Sequence, residues 1–442
     1  MRYTETLTVA VTLDRAAPVP LARQLAGRLG AAVHDGSLAP GARMPSTRTL
    51  AQLLGVSRGV ASEAYDLLAA QGVLRSRTGS GTYVAGPDRT VRRRPAADAG
   101  TVADLRPGLP SAEVFPLAAW RAAWRRAGHR IPPVPPPLGV PELREALSEH
   151  LLRTRGYPPG GHTVVITSGL GASLRLLLDV LDAGPSAVAV EEPADPVLWQ
   201  AIDHPVPLDG LPPSRRIAVT APAGHTVAGR PLSLGARREL TDWASAPGRR
   251  LVEVACDAVF RTPDPLPERT CVIGSFAGLF TPALRLGYAL VPPDLLGRVT
   301  ARLGEPPSAI DQLAAAHLLS GDTARPLMHR IGRLHARQRG IVAAVLGRLP
   351  AGFVLSGLEA AGTAILRLPE RLPADVAQAA LAAAGVRVET LSRYCFSTGA
   401  DSSGLVLGYG HSADDELRAG LTALTTVLTR EAARRPLACS VC

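Results

Sequence analysis

Residues 46–58 read STRTLAQLLGVSR, and this stretch decides the fold of the first part of the chain. Either Ser46 or Thr47 is a suitable N-cap for a short helix, because a hydroxyl oxygen can accept a hydrogen bond from the first helical turn. Gly55 begins a tight turn, and Ser57 caps a second helix. Two helices joined by a short turn that contains glycine are typical of a helix-turn-helix.

A third helix and two short strands flank this motif. Apolar residues at steps of four predict the helix over 20–33: Leu21, Leu25, Leu29 and Val33. Residues 35–36, Asp-Gly, end it. On the other side, residues 72–77 and 81–85 read as strands joined by a glycine-rich loop, which predicts a wing. The first part of the chain is therefore expected to be a small α+β domain.

Four segments of this region resemble the winged helix-turn-helix of the GntR family. They are PGARMPS at 40–46, LGVSR at 54–58, AYDLL at 64–68 and GSGTYV at 79–84, in the family's order and spacing. The resemblance implies that the domain binds double-stranded DNA. A small helical adaptor without DNA affinity is the alternative interpretation.

Nine residues are expected to contact DNA: Arg48, Ser57, Arg58, Gly59, Ser62, Arg75, Arg77, Thr78 and Gly79. Arg58 begins the helix that would enter the major groove, where a guanidinium can bond guanine with two hydrogen bonds. Arg48 begins the preceding helix and can reach a phosphate. Ser62 stands where many family members carry a longer polar or basic side chain.

The remaining contacts with DNA are expected from backbone N–H groups and from the wing. Ser57 and Gly59 bring backbone N–H groups close to phosphates. Arg75 and Arg77 flank the wing, whose Gly79 lets the tip approach a minor groove.

The composition describes a foldable chain of more than one domain. The chain has 442 residues, of which 46% are hydrophobic and 19% charged. We find no apolar stretch long enough for a membrane span and no signal peptide, which predicts a cytoplasmic protein. A net charge of +10 suggests an anionic partner. Residues 1–88 hold nine arginines against six acidic residues, so the motif supports DNA binding more strongly than charge does.

The rest of the chain alternates strand-like and helix-like segments. The strand-like segments are 164–167, 187–190, 217–220, 251–254, 270–273 and 288–291. This alternation predicts an α/β domain with a mostly parallel central sheet. The segments resemble the fold-type-I aminotransferase-like domain of the MocR group, in which a GntR-type head is fused to this domain. The resemblance covers about residues 105–435.

The resemblance implies a pyridoxal-phosphate site that has lost its covalent bond. Residues 273–288 read IGSFAGLFTPALRLGY, and Gly278 occupies the position of the family's cofactor lysine. The chain contains no lysine at all, so it cannot form the usual Schiff base. Codon bias in a GC-rich genome accounts for arginine at surface positions, but not for the loss of this one lysine.

Other positions of the cofactor site differ from the family. Val254 replaces the aspartate that pairs with the pyridine nitrogen, and Cys256 replaces the tyrosine that supports the ring hydroxyl. Residues 194–196 read Ala-Asp-Pro where the family has Gly-Tyr-Pro, so Asp195 occupies the position of the family's tyrosine. The strand at 405–409 lacks the arginine that some members use for a substrate carboxylate. We therefore expect a catalytically inactive domain, with pyridoxal phosphate lost or at most bound non-covalently.

The positions that hold the cofactor phosphate in the family are retained. Ser168 and Gly169 precede a helix whose N–H groups can face an anion, and Ser275 and Arg285 keep phosphate-contacting positions. One interpretation is a pocket for a small anionic effector. The other is that these residues only hold the loop. We place Cys256 and Gly278 with these four residues in the degenerate cofactor pocket.

The expected organisation has four parts: a DNA-binding domain (1–86), an Arg- and Pro-rich linker (87–104), an aminotransferase-like domain (105–435) and a tail with Cys-x-x-Cys (436–442). The five cysteines are irregularly spaced, which argues against a disulfide framework. We expect no metal site. We expect a homodimeric transcription regulator that binds an operator with repeated half-sites. An amino-acid aminotransferase and a purely architectural DNA binder are the alternatives.

Overall fold

The chain folds into two compact units. The computed structural model describes residues 11–15, 17, 19–34, 37–39, 41–70, 73–77, 81–84, 101–111, 113–129, 133–155, 161–184, 187–208, 215–222, 227, 232–255, 269–320, 323–359, 362–397 and 402–435. The first unit comprises Met1–Pro95 and Pro116–Arg126, and the second comprises Ala96–Phe115 and Ala127–Cys442. Within the described residues, none of the helices has the length and apolar character needed to span a bilayer.

The first unit is a winged helix-turn-helix, as the sequence predicts. Its helices are α1 (Leu21–His34), α2 (Thr47–Leu54), α3 (Arg58–Ala70) and, after the segment that joins it to the second unit, α4 (Leu117–Ala127). Its strands are β1 (Arg43–Met44), β2 (Leu74–Arg77) and β3 (Gly81–Val84). They form an antiparallel sheet in the order β1-β3-β2. The short strand β1 was not predicted.

The packing of the first unit follows from the leucines that define its helical periodicity. Leu25 and Leu29 of α1 are fully buried against Leu50 of α2 and Leu68 of α3. The Tyr65 hydroxyl donates a buried hydrogen bond of 2.8 Å to the Pro45 carbonyl oxygen. This bond fixes α3 to the segment that enters α2.

The second unit has a central seven-stranded sheet. Its strands, with those of the smaller sheets, are β4 (Ala103–Asp104), β5 (Thr163–Thr167), β6 (Val188–Val190), β7 (Val206–Pro207), β8 (Ile217–Thr220), β9 (Arg250–Ala255), β10 (Cys271–Ser275), β11 (Gly287–Val291), β12 (Val354–Ser356), β13 (Thr363–Arg367), β14 (Val386–Arg387), β15 (Glu389–Thr390) and β16 (Gly404–Gly408). The central order is β5-β11-β10-β9-β8-β6-β7, and only β11 runs antiparallel to its neighbours. The predicted mostly parallel sheet is confirmed.

Helices surround this sheet and a second, four-stranded antiparallel sheet of order β12-β13-β16-β15. They are α5 (Pro141–Arg155), α6 (Leu170–Val180), α7 (Pro196–Trp199), α8 (Leu234–Ser245), α9 (Pro293–Arg302), α10 (Ala309–Ser320), α11 (Ala324–Leu346), α12 (Ala374–Ala383) and α13 (Asp414–Ala433). Each sheet has its own buried apolar cluster. The strand β4, at the end of the expected linker, pairs in parallel with β14 of this unit.

Candidate functional site

The turn of the helix-turn-helix is fixed by caps at both helix ends. The Thr49 N–H donates to Ser46 Oγ at 3.1 Å, so Ser46 rather than Thr47 is the N-cap of α2. Gly55 caps the other end in the left-handed conformation, at φ 60°, which glycine adopts without a steric penalty. The Val60 N–H donates to Ser57 Oγ at 3.3 Å, which places Ser57 at the start of α3.

The side chains expected to meet DNA lie on the surface of this unit. Arg48, Arg58 and Arg75 are exposed, and none of them forms an ion pair within the described residues. Ser57 and Gly59 are also exposed at the N-terminus of α3, whereas Ser62 is half-buried. The three guanidinium groups are therefore available to an anionic partner. The side chain of Arg77, and all of Thr78 and Gly79, lie outside the described residues.

One contact at the turn was missed by sequence reasoning. Arg15 Nη2 donates a 2.6 Å hydrogen bond to the Gly55 carbonyl oxygen, from a segment that precedes α1. The contact spans 40 residues of sequence and carries no local pattern that could have revealed it. It ties the segment before α1 to the turn between α2 and α3.

In the second unit, strand register brings the expected anion-binding residues to one edge of the central sheet. Ser275, the last residue of β10, is paired with Gly287, and Gly287 is paired with Thr167, the last residue of β5. Since β11 is antiparallel to both neighbours, its first residue lies beside their last. Ser168 follows Thr167 directly, and Arg285 precedes Gly287 by two residues. All three expected residues therefore lie at the same sheet edge.

The start of α6 is held against this edge by a close backbone contact. A Cβ atom on Gly287 would lie 2.6 Å from the Gly169 carbonyl carbon, so β11 can approach only because residue 287 is glycine. Gly169 itself has φ 113°, a conformation that L side chains rarely adopt. The buried Ser173 Oγ of α6 lies 2.6 Å from Thr167 Oγ1 and donates to the Tyr288 carbonyl oxygen at 3.1 Å.

The individual side chains of the pocket are arranged as follows. Ser168 and Arg285 are exposed, and Arg285 has no ion pair within the described residues. Ser275 is half-buried, and its Oγ accepts a hydrogen bond from the Ala277 N–H at 3.4 Å. Gly278 is exposed in the turn after β10. Cys256 lies outside the described residues.

Two of the positions expected to touch the cofactor ring or the substrate, Val254 and the strand β16, are apolar. Val254 is 4% exposed near the end of β9. In the second sheet every residue of β16 is buried, and Val406 packs with Ile365, Leu391 and Val227. These side chains offer neither a carboxylate for a pyridinium proton nor a guanidinium for a carboxylate.

Three acidic side chains follow β6, of which Glu191 and Glu192 were not among the expected site residues and Asp195 was noted as a departure from the family. Glu192 Oε1 accepts a hydrogen bond from the Ser397 N–H at 2.8 Å, which ties the segment after β6 to the segment after β15. Burial raises the pKa of the Glu191 carboxyl, although the Ala221 N–H donates to it. Burial also raises the pKa of Asp195, which caps the short helix α7. In the sequence, only the Glu-Glu-Pro motif at 191–193 pointed to these carboxylates.

Comparisons with known proteins agree with this geometry. The model for bacterial regulatory proteins of the gntR family matches residues 21–84. The HTH-type pyridoxine biosynthesis transcriptional regulator PdxR of Corynebacterium glutamicum is 32% identical over 444 residues, covering 92% of this chain and 96% of that protein. The chain belongs to the MocR-type transcription regulators.

A second relative and a solved structure extend this result. The probable rhizopine catabolism regulatory protein MocR of Rhizobium meliloti is 29% identical over 474 residues, covering 94% of this chain and 95% of that protein. The crystal structure of a multiple substrate aminotransferase from Thermococcus profundus covers 78% of this chain and 94% of its own, with a TM-score of 0.66 and 18% identity. At that identity the likeness shows the fold alone. This MocR-type chain thus combines a GntR-type DNA-binding domain with an aminotransferase-like fold, a fold whose family uses pyridoxal phosphate.

Replacing Arg48 and replacing Arg58, the two exposed arginines of the helix-turn-helix, should change DNA binding in different ways. Arg58→Ala should cost about 1–3 kcal/mol on the specific site and relax the sequence preference, because Arg58 would contact a base. Arg48→Ala should weaken binding to all DNA similarly and reduce the salt slope by about one, because Arg48 would contact a phosphate. Binding isotherms on specific and random duplexes over a range of salt distinguish the two roles. Equal losses of specificity in both variants would refute them.

Proposed function

We propose that this regulator uses its aminotransferase-like domain for dimerisation and for non-covalent sensing of a small anionic effector, and that the domain is catalytically inactive. The observation that carries the proposal is the absence of lysine from the chain. Gly278 stands at the family's lysine position, in the exposed turn that follows β10. A glycine cannot supply the amine that binds the cofactor aldehyde.

A second position of the family's cofactor site supports the same conclusion on separate grounds. Val254 is buried and apolar where the family carries the aspartate that holds the ring nitrogen. The residues present therefore do not fit a covalently bound and activated pyridoxal phosphate. An aminotransferase acting on amino acids is the alternative function, but the curated relatives that span nearly the whole chain are transcription regulators.

We expect no internal aldimine. Purified protein mixed with pyridoxal phosphate and then dialysed should keep no absorbance band of a protein-bound aldimine, because no side-chain primary amine exists. Borohydride reduction followed by peptide mass mapping is the measurement. The N-terminal amine could react, so each adduct must be located in the sequence. An adduct on an internal residue would contradict the expectation.

The proposed assembly is a homodimer. Aminotransferase-like domains of this fold pair through a large interface, which would place two DNA-binding domains on one particle. A twofold protein implies an operator with two half-sites, as direct or inverted repeats. The proposed division of the chain keeps residues 1–86 as the DNA-binding domain, 87–104 as the linker and 105–435 as the dimerising domain. A DNA-bound regulator would act in the cytoplasm, where the bacterial chromosome lies.

Light scattering should give the mass of two chains at micromolar concentration, since the interface belongs to the large domain. Footprinting should then protect two half-sites per particle. A full-length monomer that protects a single half-site would overturn the dimer.

The effector proposal rests on the sheet edge that carries Ser168, Ser275 and Arg285. The planar guanidinium of Arg285 can bond a phosphate or a carboxylate with two hydrogen bonds. The N–H groups at the start of α6 add the partial positive charge of the helix N-terminus. The alternative is that these residues only hold the loop between β10 and β11.

Replacing Arg285 should separate these two interpretations. Arg285→Ala should weaken the binding of an anionic ligand by about 10- to 100-fold, since a charged hydrogen bond contributes roughly 1.5–3 kcal/mol. Calorimetry with pyridoxal phosphate, inorganic phosphate and a series of carboxylates is the measurement. The control is Arg348→Ala, another exposed arginine of the same unit. A ligand that binds a folded Arg285→Ala variant as tightly as the wild type is not held by this pocket.

A further inference from the structure

Helix α4 presents a basic face that the helix-turn-helix does not account for. The helix reads LAAWRAAWRRA and contains no acidic residue. Arg121, Arg125 and Arg126 are exposed, and Arg121 and Arg125 lie one turn apart on the same stripe. Ala123, on the opposite side of the helix, is only 4% exposed. The arginines therefore lie on the solvent side of an amphipathic helix.

Two aromatic side chains lie on the less exposed side of α4. Trp120 and Trp124 are one turn apart, and their rings stack with centroids 4.0 Å apart and planes inclined by 26°. Both side chains are half-buried. The half-buried tryptophans and the three exposed arginines therefore occupy different sides of the helix.

Within the part of the chain that the structure describes, these guanidinium groups have no anionic partner. None of Arg121, Arg125 and Arg126 forms an ion pair or a hydrogen bond with any described residue. The C-terminal end of a helix favours a cation, which accounts for Arg125 and Arg126. It does not account for Arg121, which repels Arg125 at the spacing of four residues. Such an uncompensated cluster fits an external anion.

We propose that the basic face of α4, formed by Arg121, Arg125 and Arg126, contacts the phosphate backbone of DNA outside the half-site read by α3. The inference rests on the proposed function, since it adds a contact to the same DNA complex. Residues Pro116–Arg126 belong to the same compact unit as the winged helix-turn-helix, although Ala96–Phe115 of the second unit lie between them in sequence. The partner most consistent with this placement is the DNA that the helix-turn-helix binds. An acidic protein is the competing partner.

The salt dependence of DNA binding tests the proposal. Each phosphate contact contributes about 0.9 to the slope of log K against log salt, so the triple variant R121Q/R125Q/R126Q should lower the slope by about two to three units. Random-sequence duplex suffices, since phosphate contacts are independent of sequence. Full-length protein and fluorescence anisotropy over about 50–200 mM salt give the slope.

Two matched variants make the result specific. The triple variant R121K/R125K/R126K keeps the charges and should retain most of the wild-type slope. The control R238Q/R325Q/R348Q removes three exposed arginines of the second unit and changes the net charge equally, and its slope should stay near that of the wild type. Thermal unfolding checks that all variants remain folded.

The possible outcomes decide between the partners. A slope that falls in R121Q/R125Q/R126Q but not in the control supports the DNA contact. Equal slopes in these two variants overturn it, and leave an acidic protein as the competing partner of α4. If the wild-type protein binds no duplex, DNA binding itself is refuted. If the wild-type protein binds DNA and the α4 variant has the same slope as the wild type, only the role of α4 is refuted.

Discussion

The close approach of the Gly287 backbone to Gly169 is the contact on which the candidate pocket depends. A side chain at residue 287 would collide with the Gly169 carbonyl carbon, so the antiparallel strand β11 could not lie at its present distance from β5. With β11 in place, the register sets the last residues of β5 and β10 beside its first residue. Ser168, Ser275 and Arg285 meet at one edge for this reason.

The proposed function separates two properties that pyridoxal-phosphate proteins usually combine. The residues that we propose as phosphate-contacting groups, Ser168, Ser275 and Arg285, lie at the sheet edge that this backbone contact sets. We propose that the groups that would act on the cofactor ring are lost, with Gly278, the buried Val254 and the apolar strand around Val406 in their place. A pocket of this composition fits recognition of an anion better than chemistry on an amine.

The sequence predicted the helix-turn-helix well because its signals are local. The cap at Ser57 and the turn at Gly55 act within a few residues, and only the choice between Ser46 and Thr47 needed the structure. Periodicity also predicted six strands of the central sheet to within two residues. The two-residue strand β1 was missed because it is too short to show a period, and it forms only through pairing with β3.

The contacts that the sequence could not predict are long-range. Arg15 reaches Gly55 across 40 residues, and Glu192 reaches Ser397 across 205. Neither pair follows a repeated spacing, so only the folded chain brings them together. The register that gathers the anion-binding residues is of the same kind, because it follows from the antiparallel direction of β11, which the alternating pattern does not encode.

The most direct test of the account is a chromosome-wide map of the sites bound by the full-length protein and by its Arg58→Ala variant. The account predicts discrete sites near promoters, each with two copies of a half-site, that are occupied by the wild type and lost in the variant. A wild type without discrete sites, or one whose sites persist unchanged in Arg58→Ala, would contradict a regulator that reads DNA through α3.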